Sequence, residues 1–281
     1  MAEPVIGCRK FEKIRIRESV LRWSMAEIRV GGMKIHYLEK AAKGPAKDWP
    51  IVFIHGSGGN AGLWQKLMEE MGGEYPSIAI DLPGHGASPG EPLKSVAEAG
   101  NFVRDFLVAR GLKNVVLGGH SFGGAVVQSM ALRQAECLKA LLLIGTGAKL
   151  RVLPEALEMM RQMAFGEMPP KFHPWGFAEK ASPEVIAEGE REWAKTGSPA
   201  RYYDFLSCDQ FDIVGEVGEI RLPALIACGQ EDRLTPVKYS QFLNQKIAGS
   251  KMEVIEEAGH LVMLEKPRAL SQAILRFLRG L

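Results

Sequence analysis

The sequence predicts an α/β domain built on a mostly parallel, doubly wound sheet, with a helical cap inserted into it. Three observations carry the prediction. Short apolar runs alternate with helix-length stretches along most of the chain, the order expected when helices cover a parallel sheet. The runs are apolar at successive positions and not at every second one, as in strands buried on both faces. One interval, about 149–221, holds helix-like pieces and no convincing buried strand.

Residues 1–25 form an N-terminal extension whose alternation "EKIRIRESV" fits either an extra edge strand or an interaction arm. Ala26 to Lys40 carries two β-rich runs joined through Gly31-Gly32, the mark of a hairpin and so of an antiparallel start. After the loop "KAAKGPAKDWP" come the strand candidates "IVFIHG" (Ile51 to Gly56), "SIAIDL" (Ser77 to Leu82), "NVVLGGH" (Asn114 to His120), "ALLLIG" (Ala140 to Gly145), "ALIACG" (Ala224 to Gly229) and "KMEVIEEAGH" (Lys251 to His260). "VAEAGNFVRDFLVARG" and "GAVVQSMALRQAE" between them have helix length, and "PRALSQAILRFLRG" closes the chain. The cap pieces open at Pro154, Ser182-Pro183 and Ser198-Pro199; proline fits the first helical turn because the N–H it lacks would have no partner there. The core is therefore expected over 26–148 and 222–281, interrupted by a cap over 149–221.

A chain of 281 residues, 46% hydrophobic and 24% charged, can bury a sizeable core. A formal charge of +2, with basic residues spread along the chain, gives no footprint for nucleic acid. The first twenty residues carry charges where a signal peptide needs an apolar stretch, and no run approaches the roughly 18 residues of a membrane span. A cytoplasmic protein without a membrane partner is expected. Cys8, Cys137, Cys208 and Cys228 stand far apart, without metal or disulfide spacing, and read as buried apolar thiols.

The stretch "VVLGGHSFGGAVV" (Val115 to Val127) clusters glycines between two β-branched runs. Glycine weakens strand and helix interiors by roughly 0.5–1 kcal/mol relative to alanine, so the cluster needs a backbone reason. A strand that ends in G-x-S-x-G and runs directly into a helix is a nucleophile elbow, here Gly119-His120-Ser121-Phe122-Gly123. The strained turn exposes the serine hydroxyl at the carboxyl end of the sheet, where open α/β sheets bind ligands.

With this elbow, "HGSGG" (His55 to Gly59), "DLPGHGAS" (Asp81 to Ser88), "GQEDRLTP" (Gly229 to Pro236) and "AGH" (Ala258 to His260), the sequence resembles the α/β-hydrolase fold family from about Ala26 to Leu281. The family's chain order of serine, acid and histidine falls on Ser121, Asp232 and His260. In that role His260 takes the Ser121 proton during attack and returns it to the leaving group, while Asp232 fixes the imidazole tautomer and stabilises the imidazolium. The oxyanion is assigned to the backbone N–H groups of Phe122 and Ser57, a use that leaves their side chains free to vary. Each such donor is typically worth about 2.7–4 kcal/mol at the transition state.

Each residue has a structural rival. Ser121 could be a helix N-cap, and His260 a satisfied histidine, although among the six histidines only His260 follows the acid. Glu231 is as acidic as its neighbour, but Asp232 stands three residues after Gly229, the family's spacing. His55, His85 and His120 fall on loops at one end of the sheet; they read as loop-shaping residues and not as metal ligands, for want of a carboxylate or thiol at ligand spacing.

The cap is rich in soft, large side chains, among them Met160, Met163, Phe165, Trp175, Trp193 and Phe205. Some must pack the cap onto the core. Together they fit an adaptable apolar roof, and Met160, Met163 and Phe205, with Leu234 beyond the acid, are expected to meet the substrate. The serine argues against dehalogenases and epoxide hydrolases, which resemble this family but use aspartate, and against dienelactone hydrolases, which use cysteine. Carbon-carbon bond hydrolases usually carry Pro in the "HGxGPG" loop and Asn before the serine, where Gly59 and His120 stand here. The resemblance implies a cofactor-independent and metal-free carboxylic ester hydrolase for small to medium apolar acyl groups, with a small-molecule ester as partner. A carbon-carbon bond hydrolase is the alternative enzyme. A hydrolase-like ligand receptor is the alternative of another class.

Overall fold

The computed structural model describes residues 24–43, 49–133 and 135–281. The chain opens with an antiparallel hairpin of β1 (Ser24–Val30) and β2 (Met33–Lys40). Gly31 and Gly32, with φ of 55° and 84°, make its two-residue turn, whose left-handed backbone matches the twist of the paired strands. The strand takes in Ser24 and Met25, so the core starts two residues earlier than the sequence predicts; the "EKIRIRESV" alternation lies outside the described residues.

Then follow β3 (Ile51–Ile54), α1 (Gln65–Glu70), β4 (Ser77–Ile80), α2 (Val96–Ala109), β5 (Val115–His120), α3 (Phe122–Arg133) and β6 (Leu138–Ile144). The interval 149–221 contributes α4 (Pro154–Ala164), α5 (Pro183–Ala194) and α6 (Ser198–Gln210), and its only strand-like contact among the described residues is an isolated bridge, Lys149 to Asp212. Proline sits in the first turn of all three helices, and the Ser182 hydroxyl accepts the Val185 N–H to cap α5. The chain ends through β7 (Ala224–Gly229), α7 (Val237–Lys246), β8 (Lys251–Ile255), α8 (Val262–Glu265) and α9 (Pro267–Leu278). The last strand stops at Ile255, so His260 stands in the loop after it and not within a strand.

The eight strands form one sheet in the order β1-β2-β4-β3-β5-β6-β7-β8, antiparallel at β1, β2 and β4 and parallel from β4 to β8. Alternate residues of the central strands feed two cores. Val52, Ile54, Leu117, Leu141 and Leu143 face the side covered by Val103 and Phe106 of α2 and Val126 of α3. Ile51, Phe53, Val116, Leu142 and Ile144 face Leu67 of α1 and Leu270, Ile274 and Phe277 of α9. A strand with apolar partners on both faces loses its alternation, which explains the continuous runs in the sequence. Chain direction across the sheet reverses between β3 and β5, and the crevice beyond the carboxyl ends of two such strands is where open α/β sheets hold ligands. The loops beginning at His55 and at Ser121 leave the sheet there.

Candidate active site

Ser121 lies between β5 and α3 with φ of 51°, one of three described non-glycine residues at positive φ. Backbone bonds impose that conformation: Ser121 N–H donates to Ile144 O at 3.0 Å, and Ser121 O accepts from Ala125 N–H at 3.1 Å and from the Thr146 hydroxyl at 2.9 Å. The flanking glycines are needed for contact. A Cβ on Gly119 would run into the backbone of Gly123, and one on Gly123 into the carbonyls of Ile54 and His55. Strand β3, strand β5 and helix α3 can therefore meet closely only without those side chains.

Asp232 and His260 come together from the loops after β7 and β8. His260 Nδ1 is 2.8 Å from Asp232 Oδ2, and a ring nitrogen that faces a carboxylate must carry the hydrogen. In a neutral ring that tautomer puts the lone pair on Nε2. The other carboxylate oxygen accepts the N–H groups of Leu234 at 2.9 Å and Thr235 at 2.8 Å. Burial alone would push the Asp232 carboxyl up, but the adjoining His260 and the Thr235 donors hold it down at about 2. Glu231 turns elsewhere and accepts Glu179 N–H at 3.0 Å. The two adjacent carboxylates differ in direction: Asp232 meets His260, and Glu231 meets Glu179 N–H.

His120, the residue before Ser121, bridges the serine and histidine loops. Its Nε2 donates to His260 O at 3.0 Å, and the two rings lie 4.4 Å apart. Burial, reinforced by the neighbouring His260, lowers its basicity well below that of an ordinary histidine, so it serves as a neutral spacer. His260 is held from the cap side too, because its N–H donates to Gly176 O at 2.6 Å.

Phe122 is the first residue of α3, and the first N–H groups of a helix have no intrahelical acceptor. Its N–H is therefore oriented by the helix start. The side chains at both oxyanion candidates correct the sequence expectation that they are free to vary. Phe122 is fully buried in the core, and Ser57 Oγ lies 3.4 Å from Cys208 Sγ of α6. Both side chains are thus tied to their surroundings, Phe122 by packing and Ser57 by its contact with Cys208.

Met160 and Met163 are buried on α4, which packs against α6, where Phe205 is half-buried. Met163 Sδ accepts Lys171 N–H at 3.4 Å, a contact within the cap. Leu234 is 47% exposed, and its side chain and His260 Cβ flank the same glycine, Gly176. A cavity of about 260 Å³ lined by Ser95, Ser129, Arg133 and Ser207, among others, includes none of Ser121, Asp232 and His260 and none of the four predicted substrate contacts.

Sequence reasoning missed three supports of the site. Thr235 Oγ1 donates to Asp232 Oδ2 at 2.8 Å; an Asp followed three residues later by Thr is a local turn pattern that could have pointed to it. Asp81 accepts Ala61 N–H at 2.6 Å, Ala87 N–H at 2.9 Å and His36 Nδ1–H at 2.7 Å, tying the loops after β3 and β4 to the hairpin. Asp204 and His85 form a buried pair, 2.9 Å apart, across 119 residues of sequence. No local signal could have joined them.

A model of the "Alpha/beta hydrolase family" matches residues 51–273. A pimeloyl-[acyl-carrier protein] methyl ester esterase of Neisseria meningitidis is 26% identical over 244 residues, covering 82% of this chain and 93% of its own. A 3-oxoadipate enol-lactonase of Acinetobacter baylyi is 27% identical over 250 residues, covering 84% and 91%. Among solved structures, a thermophilic esterase superposes with a TM-score of 0.77 at 32% identity, over 92% of this chain and 98% of that one.

Proposed function

The chain belongs to the alpha/beta hydrolase family, and on that premise we propose that it hydrolyses carboxylic esters through an acyl-enzyme on Ser121. The observation that carries the reading is the Asp232–His260 bond at 2.8 Å, tied through His120, which donates to His260 O, to the next residue, a serine held at positive φ. His260 Nε2 removes the Ser121 proton as Oγ attacks the ester carbonyl. The carbonyl oxygen becomes an anion that the Phe122 and Ser57 N–H groups receive. As the tetrahedral intermediate collapses, the C–O bond to the alcohol breaks and the imidazolium returns its proton to the leaving oxygen. Water, deprotonated by the same nitrogen, then attacks the acyl-serine and releases the acid.

The esterase and lactonase relatives support ester chemistry. The apolar side chains of the interval 149–221 and Leu234 beside the base favour small to medium apolar acyl groups. No step requires a metal or other cofactor.

The test is covalent and kinetic. A fluorophosphonate should label Ser121 once per chain and abolish turnover of chromogenic acyl esters of graded length. Ser121→Ala should keep the fold and lose both. An adduct on another residue, or turnover confined to a ring-cleavage dienoate with none on the esters, would overturn the reading.

A further inference from the structure

The loop after β3 is shaped by the cap. Four consecutive residues of it, Ser57 to Asn60, each meet a different residue of the interval 149–221. Ser57 Oγ adjoins Cys208 Sγ at 3.4 Å; Gly58 N–H donates to Asp204 Oδ2 at 2.8 Å; Gly59 O accepts the Thr196 hydroxyl at 2.9 Å; the Asn60 side-chain amide donates to Glu192 O at 2.8 Å. A Cβ on Gly58 would strike the stem of Arg201, which closes the other side.

Asp204 is the charged member of this clasp and is 1% exposed. The oxygen that holds Gly58 also takes His85 Nε2 at 2.9 Å, and His85 Nδ1 lies 3.0 Å from Pro83 O. Carboxylate and carbonyl are both acceptors, so both ring nitrogens must donate, and only the imidazolium has two N–H groups. Burial works against that charge, but Asp204 outweighs it and raises the basicity of His85. The result is a desolvated ion pair. Replacing such a pair by apolar groups often stabilises a protein, so cohesion alone is a poor account of it. Its distinguishing feature is that it aims one charged acceptor at one backbone N–H, and hydrogen bonds to ionised acceptors are shorter and stronger than neutral ones.

We propose that Asp204, clamped by His85, is a positioning residue that orients the Ser57 N–H toward the oxyanion, making the cap part of the catalytic scaffold. This rests on the acyl-enzyme reading. The Gly58 N–H belongs to the peptide that follows Ser57, and Gly59 N–H donates to Gly56 O at 2.9 Å to close the turn that holds both residues, so anchoring the Gly58 N–H restrains that turn and with it the Ser57 N–H. Loss of one oxyanion donor costs about 10²–10³ in kcat. A donor displaced, not deleted, should cost part of that.

Asp204→Ala should lower kcat by about 10–100-fold, measured per Ser121 site titrated with fluorophosphonate, with KM changed less than threefold. Affinity for a trifluoromethyl ketone that adds to Ser121 should fall by the same factor as kcat/KM. Asp204→Asn keeps an oxygen for the Gly58 N–H and should recover to within about tenfold of wild type. Where Asp204→Ala does not fold, His85→Gln removes the clamp and should lower kcat per site by about 5–20-fold. A merely structural Asp204 would reduce the number of titratable sites and the Tm while leaving kcat per site intact. That result, with Ser121 labelled and active in the wild type, overturns the proposal and leaves the acyl-enzyme reading standing. A wild type that is not labelled at Ser121 overturns both.

Discussion

Replacing Ser121 by glycine should make the protein more stable than replacing it by alanine, although neither variant should turn over an ester. The comparison isolates one cause, because both lack the hydroxyl and differ only in the Cβ at φ 51°. The backbone bonds that hold the turn, to Ile144 O and from Ala125 N–H, survive in each. A left-handed conformation costs a residue with a Cβ roughly 1–2 kcal/mol. Glycine escapes that cost but has more freedom to lose on folding, roughly 0.5–1 kcal/mol. The difference favours Ser121→Gly by about 0.5–1 kcal/mol. For a chain of this size about 1 kcal/mol moves Tm by roughly 2–4 °C, so calorimetry at matched pH should show Ser121→Gly melting about 1–4 °C above Ser121→Ala. Melting at or below the alanine variant would refute the argument that the elbow stores strain for exposure of the hydroxyl.

Asp232→Asn should lower kcat on the order of 10⁴-fold, as loss of the acid does in a serine protease, whereas Glu231→Gln, whose carboxylate meets Glu179 N–H, should change it less than twofold; reversed effects would move the acid by one residue. The four histidines with displaced basicity should separate by NMR titration of their ring protons. His36, bonded to Asp81, and His85, where Asp204 outweighs the effect of burial, are raised and should lose their protons above 6.5. Their contribution to stability is complete below pH 6.5 and disappears as pH rises through the raised values. His55, lowered by burial to about 4, and His120, lowered well below its ordinary value by burial and by His260, should stay neutral at pH 5.5. Their contribution is complete above pH 6.5 and is lost on acidification, for His55 by about pH 4. Protonation of His55 ahead of His36 would contradict this ordering.

Much of the fold and the candidate site was legible because the determining constraints are local. The glycines of 115–127 make sense only as a strand turning sharply into a helix, and the structure shows that turn with Ser121 at positive φ. The continuous apolar runs announced a sheet covered on both faces, and Pro154, Pro183 and Pro199 marked the first turns of the helices in the interval 149–221. Helices α1 and α7 escaped notice: α1 is six residues long and buries only Leu67 and Met68, and α7 buries only Ser240 and Leu243, so neither writes an apolar stripe.

What the tertiary structure alone decided is which polar groups share the buried space around the reacting atoms. The sequence by itself proposed Ser121, Asp232 and His260 as the candidate site, and it left Glu231 as a rival because adjacent carboxylates differ only in direction once the loop has folded. It offered no reason to pair His85 with Asp204, or Gly58 with the same carboxylate, since those contacts span 119 and 146 residues. A turn or a cap is written by neighbours in the chain. A desolvated charge is satisfied by whatever the fold brings within about 3 Å, and that depends on how sheet, cap and loop close together.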